Sequence, residues 1–173
     1  MTRWSCLTGS QRALGWPGTP PSELDPVLGA LVDRVTRRAR RSGLGGRTVI
    51  LRLRFEDSAR ASRSRTMHRA TASTEPVLAT ARMLLATAQP FIDGRPLTLL
   101  GMALANLERD SGQLSLALER RDRAALDSAL DEIRDRFGAG TVSRAAFVDS
   151  DDSLAAWVMP GDGGTPRTPG AGR

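Results

Sequence analysis

The stretch Arg47-Thr48-Val49-Ile50-Leu51-Arg52-Leu53-Arg54-Phe55 decides the fold. Val49, Leu51, Leu53 and Phe55 alternate with Thr48, Ile50, Arg52 and Arg54, and successive side chains of a strand point to opposite faces, so this is a strand with one apolar face. Such a strand needs a covering layer on one side and leaves the other to solvent. After the polar turn Glu56-Asp57-Ser58, residues 60–67 make a second extended run, and the two read as a hairpin. Alternation puts Arg63 and Arg65 on one face of the second strand and Ser62, Ser64 and Thr66 on the other.

The covering layer comes from both sides of the hairpin. Upstream, Asp25-Pro26 is a helix start with proline at the first helical position, and Leu24, Val27, Leu28, Leu31, Val32 and Val35 recur at helical spacing. Arg37, Arg38, Arg40 and Arg41 fill the last turn before Gly43, where cations complement the helix dipole. The pattern predicts a helix over residues 26–41. Downstream, Thr74-Glu75-Pro76 opens a second helix striped by Val77, Leu78, Ala81, Leu84, Leu85 and Ala88, and Pro90 ends it. Residues 97–107 are apolar on both faces and predict a buried central strand in which Gly101 marks a bulge or a close approach. Beyond it, residues 113–118 read as extended and residues 122–137 as a third helix with Leu126, Ala129, Leu130 and Ile133 inward. Residues 141–148 read as a last strand and residues 160–173 as a disordered tail. Helices alternating with strands around a hairpin give an α+β sandwich, with helices on one face of a four-stranded, mostly antiparallel sheet and the other face open.

The chain has 173 residues, and its 25 basic side chains, all arginine, exceed 19 acidic ones for a net charge of +6. Twelve of those arginines lie in residues 34–69 against only Glu56 and Asp57, a local net of +10, so the rest of the chain sums to −4. A concentrated positive surface on an otherwise acidic chain is the footprint of a polyanion partner. The same arginines also suit an edge strand kept charged against aggregation, and arginine without lysine also follows from a GC-rich genome. Catalytic chemistry is not written here. One cysteine, Cys6, and one histidine, His68, exclude an internal disulfide and a histidine-based metal site or pair. The acids Asp127, Asp131, Glu132 and Asp135 belong to a solvated helix face and Asp149, Asp151 and Asp152 to the tail, so no acid–base pair converges. Phosphate loops, dinucleotide fingerprints and nucleophile elbows are absent. The expectation is no catalytic residue, no metal and no cofactor. Aromatics at 4% make base-stacking platforms unsuited. With no membrane-length apolar run and no signal peptide, a cytoplasmic, nucleoid-associated protein is expected.

The hairpin strand, then Ser62-Arg63-Ser64-Arg65-Thr66, Ala81-Arg82-Met83-Leu84-Leu85 and residues 97–107 resemble, in order and spacing, the little finger domain of Y-family translesion DNA polymerases, closest to the bacterial DNA polymerase IV group. Thr8-Gly9-Ser10-Gln11-Arg12-Ala13-Leu14-Gly15 is similar to that domain's first strand. The resemblance departs from the family at Ser58, Ala61 and Leu97-Thr98-Leu99. It implies a β-α-β-β-α-β sandwich over residues 1–107 that grips the backbone of primer-template duplex DNA. It places DNA contacts at Ser10, Gln11, Arg60, Ser62, Arg63, Ser64, Arg65 and Thr66, and Arg52 and Arg54 join them from the alternate positions of the first hairpin strand. Gln113-Leu114-Ser115-Leu116-Ala117-Leu118 is similar to a sliding-clamp-binding peptide, with Gln113, Leu114, Leu116 and Leu118 as its contacts; the leucines alternate equally well as one side of a strand. That segment and a helix-strand extension occupy residues 108–148, and a flexible tail residues 149–173. A catalytic palm is expected on a separate polymerase chain or segment, so that this chain alone does not synthesise DNA. The alternatives are a small basic RNA-binding protein or a protein-binding adaptor.

Overall fold

The computed structural model describes residues 8–14, 21–109, 118–138, 141–142 and 155–157. Its sheet is organised around the quoted strand. β2 (Leu44–Phe55) turns through residues 56–59 into β3 (Arg60–Thr71), and on its other side pairs antiparallel with β4 (Leu97–Arg109). β4 pairs in turn with β1 (Thr8–Ala13), and β1 with the short β5 (Ala155–Trp157), giving the order β3-β2-β4-β1-β5 with every ladder antiparallel. Helices α1 (Pro21–Arg41) and α2 (Thr74–Ile92) cover one face, and α3 (Leu118–Phe137) lies beyond them.

The register assigns every strand residue to a face. Val49, Leu51 and Leu53 stand opposite Leu104, Met102 and Leu100, and all six are essentially fully buried beneath the helices. Leu24, Leu28, Leu31, Val32 and Val35 of α1 and Val77, Ala81 and Ala88 of α2 close the core from above. Burial of each large aliphatic side chain contributes roughly 1.5–3 kcal/mol, so this single layer carries the fold. The buried hydroxyls of Thr36 and Thr74 lie 3.0 Å apart and tie α1 to the start of α2.

Several expectations change. α1 begins at Pro21, five residues before the expected start, and Pro26 lies inside it. α2 runs past Pro90 to Ile92. β4 passes through Gly101 without a bulge, pairing it with Arg52 on one side and Gln11 on the other, and a Cβ there would sit at an ordinary 3.5 Å from its neighbours. Thr141 and Val142 form a turn against the end of α3, where Thr141 N–H donates to Gly138 O and Arg134 Nε donates to Val142 O, and not the start of a strand; residues 143–148 lie outside the described residues. The added strand is instead Ala155–Trp157, inside the stretch expected to be a flexible tail, so the four-stranded sheet gains a fifth, three-residue member.

The largest change concerns α3. Leu126, Ala129 and Ile133 of the stripe expected inward are exposed and Leu130 is only half-buried, and Phe137 at the helix end is exposed too, whereas Asp127 and Arg134 are buried. No described α3 side chain belongs to the hydrophobic core. Ion pairs hold it instead. Arg40 grips Asp131 with Nε at 2.6 Å and Nη2 at 3.0 Å, Arg37 Nη2 donates to Asp135 at 2.6 Å, and in the reverse sense Arg134 Nη1 reaches Asp33 at 2.6 Å.

Candidate nucleic-acid interface

The face opposite the helices carries the alternate set of strand residues. Row by row across β1, β4, β2 and β3 it reads Ala13, Leu99, Arg54 and Arg60, then Gln11, Gly101, Arg52 and Ser62, then Gly9, Ala103, Ile50 and Ser64. The next row brings Ala105, Thr48 and Thr66 together, with Thr48 and Thr66 hydroxyls 3.1 Å apart and Asn106 Nδ2 donating to Thr48 Oγ1 at 2.8 Å. None of these positions carries a carboxylate. Gly9, Gly101 and Ala103 in the middle rows are buried, so the accessible part of the face is its hairpin side.

The cationic corner sits at the hairpin. Arg54 and Arg60 are directly opposed across the β2–β3 ladder, both exposed, and Arg52 is one row away on the same face. Like charges opposite one another in a ladder destabilise it, so the pair is a local conflict within the sheet. The turn holding them is well built. Asp57 Oδ1 accepts from Ala59 N–H at 3.0 Å, Phe55 N–H donates to Ala59 O at 2.9 Å, and Arg95 pairs with Asp57 while lying 4.7 Å over the Phe55 ring. The hydrogen bond from Arg95, with a further one from Ala59 N–H, holds the Asp57 carboxyl below the usual carboxylate range.

The candidate residues therefore divide. Gln11, Arg52, Arg54, Arg60, Ser62, Ser64 and Thr66 share the open face. Ser10 does not: it pairs with Met102 on the helix side and is 2% exposed, because β1 places its even-numbered residues inward. Arg63 and Arg65 are also on the helix side, opposite Leu51 and Val49, where Arg63 lies 4.8 Å over Phe91 and Arg65 Nη1 lies 3.0 Å from Met83 Sδ. They line the rim of α2 and not the sheet surface. Of the clamp-like peptide, Gln113, Leu114 and Leu116 lie outside the described residues, and Leu118 is the first residue of α3. Sequence reasoning missed the ionic role of Asp127, Asp131 and Asp135; their four-residue spacing, matched by Arg37, Arg40 and Arg41 on α1, was the available signal. Among the described residues there is no cluster suited to a metal ion, and no helix is long and apolar enough to cross a membrane.

Helices on one side and a sheet face with arginines at its hairpin end on the other define a one-sided α+β sandwich. Residues 8–116 match the model of the impB/mucB/samB family C-terminal domain. DNA polymerase IV of Pelotomaculum thermopropionicum is 38% identical over 147 residues, covering 81% of this chain and 36% of that protein, and DNA polymerase IV 2 of Bacillus subtilis is 33% identical over 153 residues, covering 82% and 36%. The insertion ternary complex of Dbh DNA polymerase shares the fold, with a TM-score of 0.52 and 14% identity over 60% of this chain and 29% of that one. The chain belongs to the impB/mucB/samB family, as a little finger domain of the Y-family, DNA polymerase IV type. It spans about a third of the length of the curated relatives it matches, 36% for the two named.

Proposed function

We propose that this domain holds primer-template duplex DNA by its phosphates, without reading sequence, in translesion synthesis carried out with a polymerase catalytic unit. The observation that carries the reading is the opposed pair Arg54 and Arg60, with Arg52 beside them, at the hairpin end of the open face, where no carboxylate stands in their rows. Guanidinium forks match phosphate geometry, and the hydroxyls of Ser62, Ser64 and Thr66 add donors along the same strand. Contacts of this kind fix register and orientation while leaving bases unread, as a polymerase moving over every sequence requires. Polymerase relatives and the family's C-terminal domain match support the setting. The peptide from Gln113 to Leu118, directly after β4, is the candidate tether to a sliding clamp.

Binding to a primer-template duplex across a salt series tests the grip. R52A/R54A/R60A lowers the steepness of log affinity against log salt by about three, close to 0.9 for each phosphate that no longer has an arginine partner. R63A/R65A leaves the slope near that of the parent, since those side chains rest on α2. Equal slopes for the parent and the triple variant would refute the open-face grip, and preference for A-form RNA over the duplex would move the reading to RNA. For the tether, Q113A/L116A/L118A abolishes clamp binding while duplex affinity stays unchanged.

A further inference from the structure

The contact between α3 and α1 has the chemistry of an occupied anion site. α1 presents Arg37, Arg40 and Arg41 in a row, and α3 lays Asp127, Asp131 and Asp135 along it, with Arg41 3.8 Å from Asp135 and Arg40 3.5 Å from Asp127. Carboxylates four residues apart on a helix repeat about every 6 Å, a linear array of negative charge. Asp127 also occupies the N-terminus of α2: Ser73, the N-cap residue, makes no side-chain cap bond of its own, and Thr74 N–H donates to Asp127 Oδ2 at 2.9 Å. The fit is incomplete. Arg37 Nε is buried with no hydrogen-bond acceptor, its nearest carboxylate oxygen being Asp131 Oδ1 at 3.7 Å. With no described α3 side chain in the hydrophobic core, docking rests on ion pairs, which leaves the contact sensitive to salt and its opening energy low.

We propose that the Arg37, Arg40 and Arg41 row is a second nucleic-acid phosphate site, on the opposite layer from the open sheet face, and that α3 is its built-in competitor. While α3 is seated the row is covered. When α3 leaves, the row and the α2 N-terminus face solvent together. The choice of duplex DNA as ligand rests on the reading above; the masking by α3 does not.

The test uses the full chain with D131N/D135N, which removes the carboxylates paired with Arg40, Arg37 and Arg41 but leaves Asp127 on the N-terminus of α2. Duplex binding becomes steeper in salt by about two and tighter at low salt, and R37A/R41A added to that variant cancels the gain. E23Q/E132Q, with the same change in charge at exposed positions away from the row and from the open face, gives no gain. The series is repeated in the R52A/R54A/R60A background. A gain there with no binding by the parent would sink the open-face grip and leave the masked site standing, whereas a D131N/D135N slope equal to the parent's in both backgrounds would sink the masked site alone. Amide exchange on the parent chain gives an independent reading. α3 protection collapses as salt is raised while β2 and β4 keep theirs; α3 protected as strongly as the sheet at high salt would overturn the proposal.

Discussion

At the scale of single residues, Gly46 shows how tightly β2 and β4 meet. A Cβ there would lie 2.7 Å from Leu104 Cβ, inside a fully buried part of the core, so any side chain forces the strands apart. Gly46→Ala is expected to cost about 1–3 kcal/mol by overpacking, measured by chemical denaturation. Asp57 offers a residue-scale test of the hairpin. Its carboxyl is held low chiefly by Arg95, so its support of the turn is in place at neutral pH and is lost as pH falls through that lowered value. Arg95→Ala raises the Asp57 midpoint in a carboxyl NMR titration and flattens the acid limb of hairpin stability. The alternation that separates Arg63 and Arg65 from Ser62, Ser64 and Thr66 was legible from spacing alone. Which set faces solvent was not, because that depends on register with β2, and register is set by which residues the helices cover.

At the scale of elements, α3 overturns a rule of thumb. Its stripe of Leu126, Leu130, Ile133 and Phe137 has the spacing of a core-facing helix, yet Leu126 is 52% and Phe137 63% exposed. A stripe states only that one side of a helix differs from the other. The docking side was decided by arginines on α1 that lie 91 and 98 positions away in sequence, and no window of local sequence contains both partners. Two substitutions separate the arrangements. Leu126→Ser stays within about 0.5 kcal/mol of the parent, as for a surface change. Asp127→Ala costs about 0.5–2 kcal/mol through removal of the cap on α2, read as a lower melting temperature. β2 and the two core helices were readable because each declares its buried side in its own apolar stripe, whereas β3 could be read only as extended. The three-residue β5, which pairs with β1 through its backbone, has no such pattern to read.

Over the whole molecule the charge is partitioned. Within the surplus in residues 34–69 two groups stand apart: Arg37, Arg40 and Arg41 of α1, answered by α3 carboxylates, and Arg52, Arg54 and Arg60 at the hairpin end of the open face. A count of charges along the chain located the surplus but could not divide it, since the division depends on which elements the fold brings together. The order of elements along the chain adds a consequence in time. Both core helices and the sheet through β4 precede Asp127, Asp131 and Asp135, and domains fold during synthesis as their residues emerge. A ribosome therefore delivers every arginine of this pattern before the acids that quiet half of them. For that interval the nascent domain is at its most cationic, beside a machine made largely of RNA.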